Sequence, residues 1–400
     1  MIDQTMIKRK NTRQIKVGSV KIGGGAPVSI QSMTKIDTSD VKAVVAQIQD
    51  LERSGCEIVR LAIKTPGDAG AICSIKRKVK IPIVADIHFD YRLALAAIKT
   101  GADKIRLNPG NMRKREEIAQ VIKAAKKAGI PIRIGVNSGS LFTNDERRTP
   151  PTRQRAGQAT NDALVASALH YIKIFEDLDF RDIIISLKAS DVITTVEAYR
   201  KMSGLCDYPL HLGVTASGSY DQGIVKSAIG IGALLADGIG DTIRVSLTAD
   251  PIEEVIAAKR ILSAVGLRRF GPEIISCPTC GRCRVDLGAV VQNLEQALYA
   301  SAEGGSASGG KRYTLYANRP LKIAIMGCEV NGPGEAKEAD IGIAAGKGSG
   351  VLFVKGKIVK RVKEKDFVTE MLKVVSQLTS LPVGQFKPAN RPTGKPANRL

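Results

Sequence analysis

The chain has 400 residues, of which 44% are hydrophobic, so it exceeds one ordinary domain and can bury a large core. This composition excludes a wholly disordered chain. No apolar run is long enough to cross a bilayer, and the start, MIDQTMIKRKNTRQIKVG, lacks the apolar segment of a secretory signal. We therefore expect a cytoplasmic protein without a membrane partner, in which the thiols stay reduced.

The formal net charge of +21 suits either nucleic acid or an anionic small substrate. Part of the excess lies in residues 8–16 and 381–400, two basic stretches that we expect to be flexible. With 4% aromatic residues and no Trp, platforms for stacking bases are sparse. We expect a small anionic substrate and no nucleic acid, with a basic nucleic-acid-binding protein carrying a structural metal site as the alternative.

In chain order, a basic segment (residues 1–24) precedes a region (25–268) where short β-rich runs alternate with amphipathic helices. The first helix, in DVKAVVAQIQDLERSG, has apolar residues at helical spacing, Ser39 or Asp40 as its cap and Gly55 at its end. The β-rich runs are PVSIQSM, EIVRLAI, IPIVADIHFD, DKIRLNPGN, IPIRIGVNSG, DIIISLKAS, LHLGVT and DTIRVSL. Eight such units predict an α/β fold, a (β/α)8 barrel of the TIM type, rather than an open doubly wound sheet. The longest connection, residues 141–162, is predicted to be a mobile loop at the barrel mouth.

Polar residues end the predicted strands, where barrels of this type place their active sites. In order they are Gln31, Ser32, Arg60, Asp86, His88, Arg106, Asn108, Arg133, Asn137, Ser186, Lys188, His211, Thr215, Arg244 and Ser246. Five of them are cations, and Asp86 and Asp241 are too few to neutralise them. The pattern predicts a bound polyanion, although any single cation could instead belong to a structural ion pair inside the barrel.

A second unit, residues 269–378, is predicted to be a small α+β domain. It contains ISCPTCGRC, the helix VVQNLEQALYA, the strand LKIAIMGC, the hairpin GVLFVKGKIVKRV and the closing helix DFVTEMLKVVSQL. Residues 379–400 repeat KPANR and are predicted to be a disordered tail.

Three closely spaced cysteines, Cys277, Cys280 and Cys283, predict a metal site. A zinc ribbon requires a second C-x2-C, which the sequence lacks, whereas Cys328 lies in a Gly/Pro-rich loop typical of iron–sulfur proteins. An iron–sulfur cluster is therefore favoured over zinc. Two ligand sets remain open: the four cysteines together, or Cys277, Cys280 and Cys328 with Glu335 as a labile fourth ligand.

The motifs ISCPTCGR, GCEVNGPGEA, VADIHFDYRLAL, IRLNPGN, IRIGVNSGSL, LKASDV and AIGIGALLADGIGDTIRVSL together resemble the 4-hydroxy-3-methylbut-2-enyl diphosphate synthases of the non-mevalonate isoprenoid pathway. The resemblance covers about residues 12–375. It implies reductive ring-opening and dehydration of 2-C-methyl-D-erythritol 2,4-cyclodiphosphate in a homodimer that takes electrons from ferredoxin or flavodoxin.

The resemblance also implies roles for particular residues. It assigns the ligands of a [4Fe-4S] cluster to Cys277, Cys280, Cys328 and Glu335. Together with the position of these residues at the strand ends, the resemblance implies that the diphosphate is bound by Arg60, Arg106, Arg133, Lys188 and Arg244. Its orientation is expected to be fixed by Asn108, Asn137, His88 and Ser246. Glu335, Asp86 and His88 are the expected catalytic residues.

The chain departs from the family pattern at two positions. Cys283 is not a family ligand position, so it is expected either to stand beside the cluster or to compete as a ligand. The family's TEAG is TASG here, which places Ala216 where an acidic residue is expected. A catalytically impaired homologue is therefore an alternative function.

Overall fold

The computed structural model describes residues 7–108, 112, 114–138, 153–215, 218–298, 321–328, 330 and 332–379. The chain divides into two compact units, Met1–Arg268 and Arg269–Leu400. Within the described residues, no helix is both long and apolar enough to span a membrane. Residues 380–400 of the predicted tail and most of the predicted loop at 141–162 lie outside them.

The first unit contains the predicted barrel. Its strands, after two short ones, are β3 (Ser29–Met33), β4 (Ile58–Ile63), β5 (Ile83–Ile87), β6 (Lys104–Leu107), β7 (Ile132–Asn137), β8 (Ile183–Lys188), β9 (His211–Leu212) and β10 (Thr242–Ile243). The helices between and after them are α1 (Val41–Ser54), α2 (Pro66–Lys76), α3 (Tyr91–Lys99), α4 (Arg115–Ala128), α5 (Arg153–Asp177), α6 (Val192–Leu205), α7 (Tyr220–Ala236) and α8 (Pro251–Ala264).

All eight barrel strands are parallel, in the order β8-β7-β6-β5-β4-β3-β10-β9. A parallel bridge between Ile185 and Leu210 joins the two ends of this sheet. The (β/α)8 barrel predicted from eight repeating units is thus confirmed, because an open sheet would leave β8 and β9 apart.

The helix boundaries follow local sequence signals. Asp40 caps α1 by accepting a hydrogen bond from the Ala43 amide, and Gly55 ends it at φ 88°, in the left-handed region that favours glycine. The start of α5 was not predicted. This helix begins at Arg153, so residues 153–162 are helical and the prediction of a loop there is wrong.

The N-terminal segment closes the bottom of the barrel. Strands β1 (Ile15–Val17) and β2 (Val20–Ile22) form an antiparallel hairpin. Its buried side chains pack on residues at the N-terminal ends of barrel strands, in a cluster of Ile15, Val17, Ile22, Ile58, Val84 and Ile184. Arg9 also pairs with the buried Asp241 at 3.0 Å. The expectation of a flexible segment at residues 8–16 is wrong, because apolar burial and this ion pair hold it in place.

The second unit is built on one five-stranded sheet. Its strands are β11 (Glu273–Ser276), β12 (Lys322–Met326), β13 (Ile341–Ala345), β14 (Ser349–Val354) and β15 (Lys357–Lys363), paired in that order. Its helices are α9 (Leu287–Leu298), α10 (Gly332–Lys337) and α11 (Phe367–Thr379), with a 3-10 turn at Glu364–Asp366.

This sheet carries helices on both faces. Helices α9 and α11 share an apolar cluster with β12 and β13 on one face, while Ala336 of α10 packs with Ala344 and Phe353 on the other. A Cβ at Gly342 would lie 2.2 Å from the Ala336 carbonyl oxygen, so this glycine lets α10 approach β13 closely. The first three strands are parallel, so their carboxyl ends share one edge.

Candidate active site

Five cations come together inside the barrel, as the strand-end pattern predicted. Arg133 and Arg106 are 1% and 4% exposed, and Lys188 is 7% exposed. Arg60 and Arg244 complete the group, since the charges of both lower the pKa of Lys188 further than burial alone does. Each cation comes from a different strand or its end, so rigid backbone fixes its position.

Two glycines leave room for these long side chains. A Cβ at Gly135 in β7 would lie 2.5 Å from Nε of Arg106. A Cβ at Gly213, directly after β9, would lie 2.6 Å from Nζ of Lys188. A residue other than glycine at either position would push a cation aside, because real Cβ atoms do not approach so closely.

Asp86 is the carboxylate within this group. Its Oδ1 accepts a hydrogen bond from Arg106 NH1 at 3.1 Å, and Oδ2 lies 3.5 Å from both Arg60 Nε and His88 Nε2. Burial by itself would raise the pKa of Asp86, but Arg60, His88 and Arg106 hold it well below its usual range. Asp86 is therefore an anion at neutral pH.

The second counter-charge comes from a residue that the sequence did not indicate. Glu254 in α8 is 1% exposed and lies 3.3 Å from Arg244 and 3.4 Å from Lys35. Asp241, which we expected near the mouth, is instead at the N-terminal end of the barrel with Arg9. Asp241 precedes β10, whereas a residue at the mouth must follow its strand. Glu254 lies in a helix, so the pattern of residues at the strand ends did not include it.

The positive charge exceeds the negative charge in this interior. Burial and the neighbouring Arg60 lower the pKa values of Arg133 and Arg244, but a guanidinium stays protonated at neutral pH because its pKa starts so high. In the part of the chain that the structure describes, four arginines therefore face two carboxylates, which leaves a surplus of positive charge even without the lysines.

The polar residues predicted at the strand ends occupy different depths. Asn108 is 4% exposed directly after β6, Asn137 ends β7, and Ser246 is half-buried beyond β10. His88 is 48% exposed beside Asp86. His211 is not at a strand's carboxyl end as expected, because β9 has only two residues and His211 is the first of them. Its side chain is 0% exposed.

In the second unit, four cysteines and a glutamate line one cavity of about 170 Å³. Its lining residues are Cys277, Pro278, Cys280, Arg282, Cys283, Met326, Gly327, Cys328, Gly332 and Glu335. Cys277 directly follows β11, Cys328 closely follows β12, and Glu335 is in the first turn of α10. The shared edge of these parallel strands brings together cysteines that are far apart in the sequence.

Gly327 shapes the wall of this cavity. A Cβ there would lie 2.5 Å from Sγ of Cys283 and 3.6 Å from Sγ of Cys277. The Gly327 amide also donates a hydrogen bond to Cys277 Sγ at 3.2 Å. Cys283 donates to the Val285 carbonyl at 3.3 Å. Cys283 thus belongs to the cavity wall together with the predicted ligands.

The donor set fits an iron–sulfur cluster. The sulfurs of Cys277, Cys280 and Cys328 and the carboxylate of Glu335 line one cavity, and a cluster takes one ligand at each of several irons. Cysteine sulfur and carboxylate oxygen are suitable ligands for iron. The residues present therefore fit a cluster.

The fold and these two sites define the class of protein: a (β/α)8-barrel protein with a cationic interior and a thiol-lined cavity in an appended domain. Comparison with known proteins agrees. The family model described as "GcpE TIM-barrel domain" matches residues 12–259, and "GcpE protein C-terminal domain" matches residues 273–377.

Curated relatives are similar along most of the chain. The 4-hydroxy-3-methylbut-2-en-1-yl diphosphate synthase (flavodoxin) of Anoxybacillus flavithermus is 52% identical over 93% of this chain and 96% of its own. Those of Thermodesulfovibrio yellowstonii and Clostridium perfringens are also 52% identical, over 92% and 93% of this chain and 99% and 100% of their own. The chain belongs to the GcpE family, as its motifs indicated. Ala216 lies outside the described residues.

Proposed function

We propose that this protein is a 4-hydroxy-3-methylbut-2-enyl diphosphate synthase, an oxidoreductase that opens the ring of 2-C-methyl-D-erythritol 2,4-cyclodiphosphate and removes water. The observation that carries the proposal is the pair of sites in one chain: a cationic barrel interior and a cavity lined by cysteines and Glu335. The cationic interior suits a diphosphate substrate. The reduction needs an electron carrier, and the cavity lined by cysteines and Glu335 would hold one.

The charge of the barrel interior matches such a substrate. Among the described residues, four arginines lie with two carboxylates, Asp86 and Glu254, so the charge of this interior is positive. A cyclic diphosphate carries about one negative charge on each of its two phosphoryl groups, and arginine pairs with phosphate oxygens in a bidentate manner. Arg60, Arg106, Arg133, Lys188 and Arg244 would bind it, with Asn108, Asn137 and Ser246 fixing its orientation.

Asp86 and His88 have different roles in this proposal. The low pKa of Asp86 makes it a poor proton donor at neutral pH, so it acts by orienting Arg60 and Arg106. His88 is half-exposed and 3.5 Å from Asp86. Its imidazole would carry a proton to the substrate, as loss of water requires.

Cys277, Cys280, Cys328 and Glu335 would hold a [4Fe-4S] cluster in the second unit. When bound, the cluster would supply the electrons and a Lewis-acidic iron. Glu335 would be the most labile of these ligands, because a carboxylate is a harder donor than a thiolate. It stands in the first turn of a short helix.

Three further parts of the proposal rest on the family. The printed names of the relatives specify flavodoxin, so flavodoxin is the proposed electron donor, with ferredoxin as the other carrier of this type. A homodimer and a cytoplasmic location are proposed on the same resemblance.

Product formation from the cyclodiphosphate by anaerobically purified protein with a chemical reductant tests the proposal. Arg133→Ala should weaken substrate binding by about 10- to 100-fold, because it removes a charge-assisted contact of about 1.5–3 kcal/mol. Arg92→Ala is the matched control, since that side chain is 75% exposed. Absence of both binding and product in the wild type would refute the function.

A further inference from the structure

A second layer of buried polar groups lies inside the barrel, beyond those that the proposed function uses. Lys104 and His211 are 0% exposed and Gln31 is 1% exposed. Among the described residues, Lys104 Nζ, His211 Nε2 and both amide atoms of Gln31 have no hydrogen-bond partner. The other ring nitrogen of His211 lies 3.4 Å from the Thr242 hydroxyl.

This layer lies deeper than the arginines. Lys104 is two residues before Arg106 on β6, so both side chains face the interior and Lys104 lies roughly 7 Å closer to the N-terminal end. In register, Lys104 pairs with Val84, which packs against the hairpin that closes the barrel. Lys104 therefore stands between the arginine layer and an apolar floor.

The two layers form one electrostatic unit. Burial, followed by the charges of Arg133 and Arg60, lowers the pKa of Lys104 well below its usual range. Burial, followed by Arg133, Lys188, Lys104 and Arg60, does the same for His211. These groups are thus close enough to repel one another when charged.

Nothing in the described protein compensates for this layer. Each buried polar atom without a partner costs about 1–3 kcal/mol. The nearby carboxylates are engaged already, because Asp86 pairs with Arg60 and Arg106, and Glu254 pairs with Arg244. Arg133 Nε and NH1, which border this layer, also lack described partners. Water could accept these hydrogen bonds, and loss of protons from Lys104 and His211 would relieve the repulsion, but only an anion would favour the charged forms of both groups.

We propose that Lys104, His211 and Gln31 form an inner phosphoryl subsite, which receives one phosphoryl group of the substrate while the arginines nearer the mouth hold the other. The inference rests on the proposed function and names its ligand class: compounds with two linked phosphoryl groups. Lys104 then determines specificity for a diphosphate over a monophosphate, because only the second phosphoryl group reaches it.

Calorimetric titration with inorganic pyrophosphate and with orthophosphate tests the subsite. Lys104→Met should weaken pyrophosphate binding by about 10-fold or more, as for one lost charge-assisted contact. It should change orthophosphate binding by less than about 2-fold, because the outer arginines are intact. Lys99→Met, on the exposed end of α3, is the matched control and should change neither.

Folding is checked by thermal melting. Methionine replaces a buried amine by an apolar group of similar length, so the melting temperature should not fall. If Lys104→Met does not fold, Gln31→Leu must show the same selective loss of pyrophosphate binding. Unchanged pyrophosphate binding, or an equal loss for both anions, overturns the subsite and leaves the proposed function intact. A wild-type protein that binds neither pyrophosphate nor the cyclodiphosphate overturns both.

Discussion

Replacing Gly135 by alanine would place a methyl group against the guanidinium of Arg106. The new Cβ would lie 2.5 Å from Arg106 Nε, 3.2 Å from NH2 and 3.3 Å from Cζ. To reach ordinary van der Waals contact, the guanidinium must move by roughly 1 Å. That shift disturbs its hydrogen bonds to Asp86 and to the Gly135 carbonyl, each of which is 3.1 Å long.

Two costs follow from this displacement. Overpacking of a buried site typically costs about 1–3 kcal/mol of stability, which lowers the melting temperature by roughly 2–4 °C per kcal/mol. Loss of one charge-assisted contact to the substrate costs about 1.5–3 kcal/mol more, or about 10- to 100-fold in affinity. Gly135→Ala should therefore bind the cyclodiphosphate far more weakly although no ligand-binding side chain has been replaced.

Titration calorimetry with the cyclodiphosphate, together with thermal melting, measures both effects. The control is Gly70→Ala in α2, where a Cβ meets nothing within 4 Å; it should be neutral or stabilise by about 0.5–1 kcal/mol. Wild-type affinity and melting temperature in Gly135→Ala would refute the reasoning, since Arg106 would then be free to move without consequence.

Three further predictions concern the cluster, the departure from the family and the buried histidine. Cys328→Ser should lose iron and sulfide on anaerobic purification, whereas Cys283→Ser should keep both; loss in the two variants alike would make Cys283 a ligand. Ala216→Glu should raise the single-turnover rate, within the about 10²–10⁴-fold range of a general acid or base, with little change in substrate affinity; equal rates would show that the carboxylate is dispensable or replaced. Because burial and nearby cations hold the pKa of His211 well below 6.5, the unfolded state binds the extra proton and stability falls as the pH drops below 6.5. For His211→Asn, the free energy of unfolding measured in urea should fall less between pH 7 and pH 5 than it does for the wild type, by up to about 2 kcal/mol. An identical fall in the two proteins would contradict a buried, neutral His211.

The sequence by itself determined the architecture and most of the candidate residues. Alternating β-rich runs and amphipathic helices sufficed for a barrel, because each unit must bury one apolar face and eight of them close on themselves. Local signals located helix ends such as Asp40 and Gly55. Strand ends revealed the five cations because position along a strand sets the depth within a barrel.

Only the tertiary structure decided which charges meet. Asp241 and Glu254 look alike in sequence, yet Asp241 pairs with Arg9 at the bottom of the barrel and Glu254 reaches Arg244 from a helix. The same holds for Lys104, whose burial without a partner follows from the strands around it and not from its neighbours in sequence. Ion pairing depends on distances of a few ångströms between elements far apart in the chain, and no local pattern encodes those distances.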